Sequence, residues 1–246
     1  MTYCLSMRLQ EGLVLLSDTR TNAGVDNVST YRKLFVFHPT PQATIVLQSA
    51  GNLATTQEVI DRIERDLGDP TAPDSLATAA HLFEVALYVG RLSLEVANNH
   101  GGPPGAVGAD MTATFLVSGQ IGVDPPDTLL VYPEGNYIRA SDDRPFLQIG
   151  EAKYGKFLLE LATEAALPIN DAAKVALSSM VSTARANLSV GPPYDLGLYL
   201  NGSHAVRHIR IDAESPFLAE LQEVWGRNLA QALQELPAAP VVFDDL

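Results

Sequence analysis

Thr2 follows the initiator Met1, and a methionine before so small a residue is commonly removed in cells. Removal would leave a threonine whose hydroxyl and free α-amine belong to one residue, so that nucleophile and base arrive together. An α-amine has an unperturbed pKa of about 7.7–8.0, near the pH where a general base works best, and could take the hydroxyl proton directly or through one water. A threonine at the edge of the first strand would satisfy the position equally well, so the neighbours must decide. Residues 13–18 are placed to return along the first strand as its hairpin partner, which would bring the Asp18 carboxylate back to the chain start. Lys33 opens a later strand. An ammonium there could pair with Asp18, lower the pKa of a nearby amine by like-charge repulsion and favour the deprotonated hydroxyl. Taken singly, Asp18 reads as a turn residue and Lys33 as a surface lysine; the combination is what points to nucleophilic catalysis.

Other chemistries lack their residues. There is no G-x-x-x-x-G-K-[ST] phosphate loop, no G-x-S-x-G elbow and no H-E-x-x-H zinc helix. Of the five histidines only His204 and His208 stand at i, i+4, and they fall at a hairpin, where that spacing does not put both rings on one face. Cys4 is the single cysteine, so neither an intramolecular disulfide nor a cysteine-ligated zinc site can form, and no cofactor or metal is expected. Sixteen Lys and Arg against 29 Asp and Glu leave a net charge of −13, a field that repels nucleic acid and anionic membrane surfaces. Residues 1–8 show no basic segment leading into an apolar h-region, so no secretory signal is expected and the cytoplasm is the default. The longest apolar stretch, residues 76–96, carries His81, Glu84, Arg91 and Glu95, too much charge for a bilayer span.

The elements that must position these groups follow from periodicity. Hydrophobic residues make up 46% and charged residues 18% of 246, the composition of a packed globular chain, expected to form one domain over 1–246 with a loose tail at 237–246. Residues 3–9 alternate as a half-buried strand; 13–16, 33–37 and 43–49 read as three more, with a polar stretch after Asp18 and a Pro-containing turn at 38–42. From Asn52 the stripe Val59, Ile60, Ile63 and Leu67 predicts a helix, with Gly68 as its left-handed cap. A second helix is expected from Pro73-Asp74-Ser75 to about Asn98, and Gly101-Gly102-Pro103-Pro104-Gly105 then forbids regular structure. Strands are expected at 111–120, 128–132, 136–140 and 146–149, helices at 152–166 and 171–187, a closing hairpin at 196–200 and 206–211, and a last helix capped by Ser215 with Pro216 in its first turn. Strands and helices each in two groups predict an α+β fold: two sheets face to face with helices outside, a four-layer αββα sandwich.

The chain resembles the N-terminal-nucleophile hydrolases of the proteasome beta-subunit type, and within them the bacterial Anbu (ancestral beta-subunit) family. The resemblance is carried by Thr2 after Met1, Ser17-Asp18-Thr19-Arg20-Thr21-Asn22-Ala23-Gly24, Ser29-Thr30-Tyr31-Arg32-Lys33, Ser49-Ala50-Gly51-Asn52-Leu53-Ala54-Thr55-Thr56 and Asn187-Leu188-Ser189-Val190-Gly191-Pro192-Pro193, in the family's order and over most of the chain. It implies the same αββα fold, Thr2 as nucleophile, Asp18 and Lys33 as its charge partners, and Gly51 as the backbone donor of an oxyanion hole, with Arg20 as a supporting candidate. A substrate carbonyl must come within about 3 Å of that N–H, which a side chain would crowd, and the following helix N-terminus adds positive potential.

Two departures from the beta-subunit pattern matter. Gly150-Glu151-Ala152 stands where those subunits tend to have Gly-Ser-Gly, so a carboxylate replaces a hydroxyl; beside the Thr2 amine, Glu151 would hold it as ammonium and oppose Lys33. The family's Asp-x-x-Ser pattern has Asn187 and Ser189 as its candidates here. The resemblance therefore implies a threonine peptidase or amidase acting on a peptide or small amide within a ring or helical homo-oligomer. An assembly protein with little turnover, and a hydrolase of small amides alone, stay open. The outer helix faces and the 101–105 loop are the expected contact surfaces, and no unfoldase partner can be named.

Overall fold

A computed structural model describes residues 2–22, 28–101 and 110–238. Met1, Ala23 and Gly24 of the first motif, Gly102 to Gly105 of the expected contact loop, and 239–246 of the tail lie outside the described residues. The chain divides into two compact units, Met1–Ile211 and Asp212–Leu246.

The first unit opens with β1 (Tyr3–Arg8) and β2 (Gly12–Asp18), an antiparallel hairpin in which Cys4 faces Ser17. The alternation in residues 3–9 predicts one wet face, but Tyr3, Cys4, Leu5 and Ser6 are all fully buried. The polar-looking face is small and bonded instead: Ser6 Oγ lies 2.9 Å from Ser118 Oγ, and the Cys4 thiol donates to the Ser49 carbonyl at 3.8 Å. Burial of such groups costs little once each has a partner.

The polar stretch after Asp18 holds two short strands that its periodicity does not predict, β3 (Arg20–Asn22) and β4 (Val28–Thr30), paired with each other. β5 (Leu34–Thr40) and β6 (Ala43–Gly51) follow, and α1 (Leu53–Gly68) begins where Asn52 Oδ1 accepts the Thr55 N–H at 3.2 Å. Gly68 is not a left-handed cap: it is the last helical residue, and Asp69 after it is extended. α2 (Leu82–His100) starts later than expected. The Thr78 hydroxyl accepts the Ser75 N–H and donates to the Ser75 carbonyl while Ser75 Oγ accepts the Ala77 N–H, a local turn that competes with helix, and Glu84 Oε2 accepts the Ala80 and His81 N–H groups to start the helix there.

Four strands follow: β7 (Ala113–Ile121), β8 (Asp127–Val131), β9 (Tyr137–Arg139) and β10 (Phe146–Gly150). After α3 (Ala152–Ala162) and α4 (Ile169–Ala186), the unit closes with β11 (Tyr194–Leu200) and β12 (Val206–Ile211). α3 ends four residues short of the expected 166, because the chain must become extended at Pro168 before α4.

Two five-stranded antiparallel sheets result, ordered β10-β1-β2-β11-β12 and β5-β6-β7-β8-β9. They face each other through β1 and β10 against β6, β7 and β8; α1 and α2 pack on the second sheet and α3 and α4 on the first. The mixed α/β sandwich makes β1 an interior strand of its sheet, between β2 and the edge strand β10. The second unit contains α5 (Pro216–Gln234), entered through Ser215 with Pro216 in its first turn as expected. No helix of the described residues is long and apolar enough to cross a membrane.

Candidate active site

Pairing of β1 with β2 brings Asp18 back to the chain start, and the bond that records it is Tyr3 N–H to Asp18 Oδ1 at 3.0 Å. The same oxygen accepts Lys33 Nζ at 2.8 Å, and Lys33 also donates to the Arg20 carbonyl at 2.6 Å. Asp18 is neither a surface turn residue nor Lys33 a solvated lysine: their side chains are 0% and 5% exposed. Burial pushes the Asp18 carboxyl above its ordinary value, opposed by the Lys33 ammonium and by the N–H groups of Tyr3 and Gly191. A buried pair of this kind is costly to break from one side only, because the surviving partner is left uncompensated.

Thr2 is half-buried at the mouth of a cavity of about 490 Å³ that Lys33 and Gly51 also line. The Thr2 carbonyl accepts the Glu151 N–H at 2.6 Å, and Gly150, left-handed at φ 82°, packs so close to that carbonyl that any Cβ would overlap it. The Glu151 side chain is held from elsewhere, by Asn187 Nδ2 at 2.8 Å. Asn187 Oδ1 in turn accepts the Ser189 N–H at 2.9 Å. Among the described residues the Ser189 hydroxyl does not join the Asp18–Lys33 network, whereas Gly191 does, through its N–H to Asp18 Oδ2 at 3.4 Å. Arg20 braces this loop by donating from Nη1 to the Leu188 carbonyl at 2.9 Å.

Gly51 ends β6, and the register gives its N–H a direction. Ser49 N–H donates to the Lys33 carbonyl on the β5 side at 3.0 Å, while Asn52 N–H turns the other way, to Thr112 O at 2.9 Å. By the alternation of the ladder, the N–H of Gly51, two residues beyond Ser49, belongs to the β5 side, and Gly51 lines the cavity. Glycine is demanded there for a different reason from the one the sequence suggests. At φ 111° a Cβ would run into the Thr112 carbonyl, so the neighbouring strand excludes a side chain before any substrate does.

The structure thus puts Thr2, Lys33 and Gly51 on one cavity, with Asp18 buried against Lys33, and links Glu151 to Thr2, Asn187 to Glu151 and Arg20 to the loop at Leu188. Gly150, Gly191 and Arg32, which also shape the site, went unassigned; for Gly191 the available signal was its place before Pro192-Pro193 in the last motif. Among the described residues no three His, Cys, Asp or Glu side chains converge as metal ligands. Chemically, the arrangement sets an alcohol on the same cavity as a cation whose own charge is anchored by a buried carboxylate, with Gly51 on the same wall.

Comparison with solved structures finds whole-chain similarity. Anbu (ancestral beta-subunit) from Yersinia bercovieri superposes with a TM-score of 0.90 at 38% identity, covering 98% of this chain and 99% of that one. The Anbu complex of Pseudomonas aeruginosa, described as a helical assembly, gives 0.91 at 37% over 98% and 99%, and Anbu from Hyphomicrobium sp. strain MC1 gives 0.88 at 38% over 97% and 100%. No protein-family model and no curated protein matches the chain.

Proposed function

The chain belongs to the Anbu (ancestral beta-subunit) family of proteasome-related proteins, and from that premise we propose that it is a threonine-dependent N-terminal-nucleophile amide hydrolase working in a self-associated assembly. The observation that carries this function is Asp18 Oδ1, one buried oxygen that accepts both the amide next to Thr2 and the Lys33 ammonium at the cavity Thr2 lines. Once Met1 is removed, the Thr2 α-amine takes the hydroxyl proton and Oγ attacks the substrate carbonyl carbon. Lys33, held by Asp18, stabilises the developing alkoxide electrostatically. The oxyanion forms against the Gly51 N–H. As the C–N bond breaks, the leaving amine receives the proton from the ammonium, and an ester remains on Thr2. A water then gives its proton to the freed amine, attacks the ester and restores the hydroxyl.

An assembly protein with little turnover is the second reading, favoured by Glu151. Its N–H meets the Thr2 carbonyl, which puts Glu151 next to the chain start, and a carboxylate within reach of the freed amine would keep it protonated. Intact-mass measurement and labelling with an electrophilic β-lactone test the choice. The hydrolase loses Met1 and takes up one label that Thr2→Ala abolishes. Retained Met1, or equal labelling of Thr2→Ala, favours the assembly protein.

A further inference from the structure

The cavity beside Thr2 has a second cation on its wall, which the mechanism above does not use. Arg32 immediately precedes Lys33, and the two differ in what holds them. Lys33 is buried and committed to Asp18 and the Arg20 carbonyl. Arg32 is exposed, has no carboxylate partner among the described residues, and rests its guanidinium 6.0 Å from the centroid of the Phe35 ring.

Among the described residues no acid lines the cavity. Asp18 is fully buried behind Lys33, and the Glu151 carboxylate is taken by Asn187. Asp61 and Glu64 line a neighbouring cavity that Arg32 also borders, without pairing with it. The same wall carries the hydroxyl residues Thr21, Ser49 and Thr56, with Ala50 and Leu53 as its apolar part. A guanidinium with no acid paired to it among the described residues, set among small polar groups, is the donor set that a carboxylate matches, because its planar fork meets both oxygens. The chain's net charge of −13 opposes an acidic ligand at long range. Physiological salt screens that field beyond about 8 Å, so the nearest unpaired charge decides.

We propose that Arg32 makes this cavity a carboxylate subsite, so that the substrates are amides or peptides with an acidic side chain next to the scissile carbonyl. The position of the scissile bond rests on Thr2 being the nucleophile; the carboxylate site does not. Because Arg32 is exposed, the discrimination is modest, about tenfold for an acid over its neutral isostere.

Two arms separate the claims. On full-length Thr2→Ala, calorimetric titration compares acetyl-dipeptide amides ending in Glu and in Gln. On the chain with Met1 removed, kcat/KM is compared for coumarin amides ending in Glu, Gln, Leu and Lys. Glu exceeds Gln about tenfold in both arms. Arg32→Gln brings the ratio to about one, and Arg32→Glu turns it toward Lys, each variant first checked for a thermal midpoint near the parent's. Raising salt to about 0.5 M on the chain without an Arg32 substitution shrinks the ratio severalfold and needs no Arg32 variant. Equal affinity for Glu and Gln, or a Glu preference that survives Arg32→Gln, overturns the carboxylate subsite. Glu-selective binding with no turnover of any amide leaves the subsite standing and rejects the hydrolase.

Discussion

Asn187 Nδ2 and Glu151 Oε2 are joined at 2.8 Å, a bond that ties the loop after α4 to the residue just before α3. Glu151 is thereby fixed twice, since its own N–H holds the Thr2 carbonyl at 2.6 Å. Its carboxylate favours the charged form of a neighbouring amine. Replacement by Gln lowers the pKa of the freed Thr2 amine, so more of it is the neutral base at a given pH. The pH midpoint of β-lactone labelling is expected to move down by about half to one unit in Glu151→Gln. An unmoved midpoint would place the Glu151 charge outside the amine's reach.

Asp18 and Lys33 separate structure from chemistry. Lys33→Met leaves a buried carboxylate without its cation and is expected to cost about 3–5 kcal/mol in urea unfolding, with labelling lost. Asp18→Asn combined with Lys33→Met removes both charges and recovers much of that stability, while labelling stays lost. Recovered labelling in the double variant would remove the pair from the chemistry.

Two glycines respond in opposite directions to the same substitution. Gly51→Ala drives a Cβ against the Thr112 carbonyl at φ 111° and is expected to lower stability by about 2 kcal/mol or more, roughly 4–8 °C in thermal midpoint. Gly68→Ala adds a methyl to open space at the last residue of a helix, where alanine is favoured by at most the helix-interior value of about 0.5–1 kcal/mol, and raises the midpoint by about a degree. Thermal scans of the two variants check both signs.

Cys4 is fully buried between the sheets, and burial pushes its thiol well above the ordinary range. The native chain is expected to show no titratable thiol at pH 8 with an aromatic disulfide reagent, and one after unfolding in guanidinium. Rapid reaction of the native chain would mean that the start of β1 opens readily.

Much of the site was legible because it lies where short-range rules are strong. A hairpin with a Gly12 turn returns Asp18 to Thr2 by register alone, and β1 and β2 pair as that arithmetic requires. The motif around Gly51 sits at a strand-to-helix turn whose cap, Asn52, is visible in the sequence. The failures fall where tertiary contacts override local pattern. Ser6 and Cys4 look solvent-facing because they are small and polar, yet the second sheet partners them. Pro73-Asp74-Ser75 looks like a helix start until Ser75 and Thr78 spend their hydroxyls on a turn. The run Tyr31-Arg32-Lys33 points to Lys33 as the partner of Asp18, but nothing in it tells that Lys33 will be buried or that Arg32 will also line the cavity; the Asp18 carboxylate and the carbonyl of Arg20 hold Lys33 in place.

The most direct test of the account is a crystal structure of the chain without Met1 after reaction with a peptide β-lactone. An ester bond from Thr2 Oγ is expected, with the acyl carbonyl oxygen about 3 Å from the Gly51 nitrogen and Lys33 Nζ still on Asp18. An adduct on another side chain, or an acyl oxygen turned away from Gly51, would contradict it.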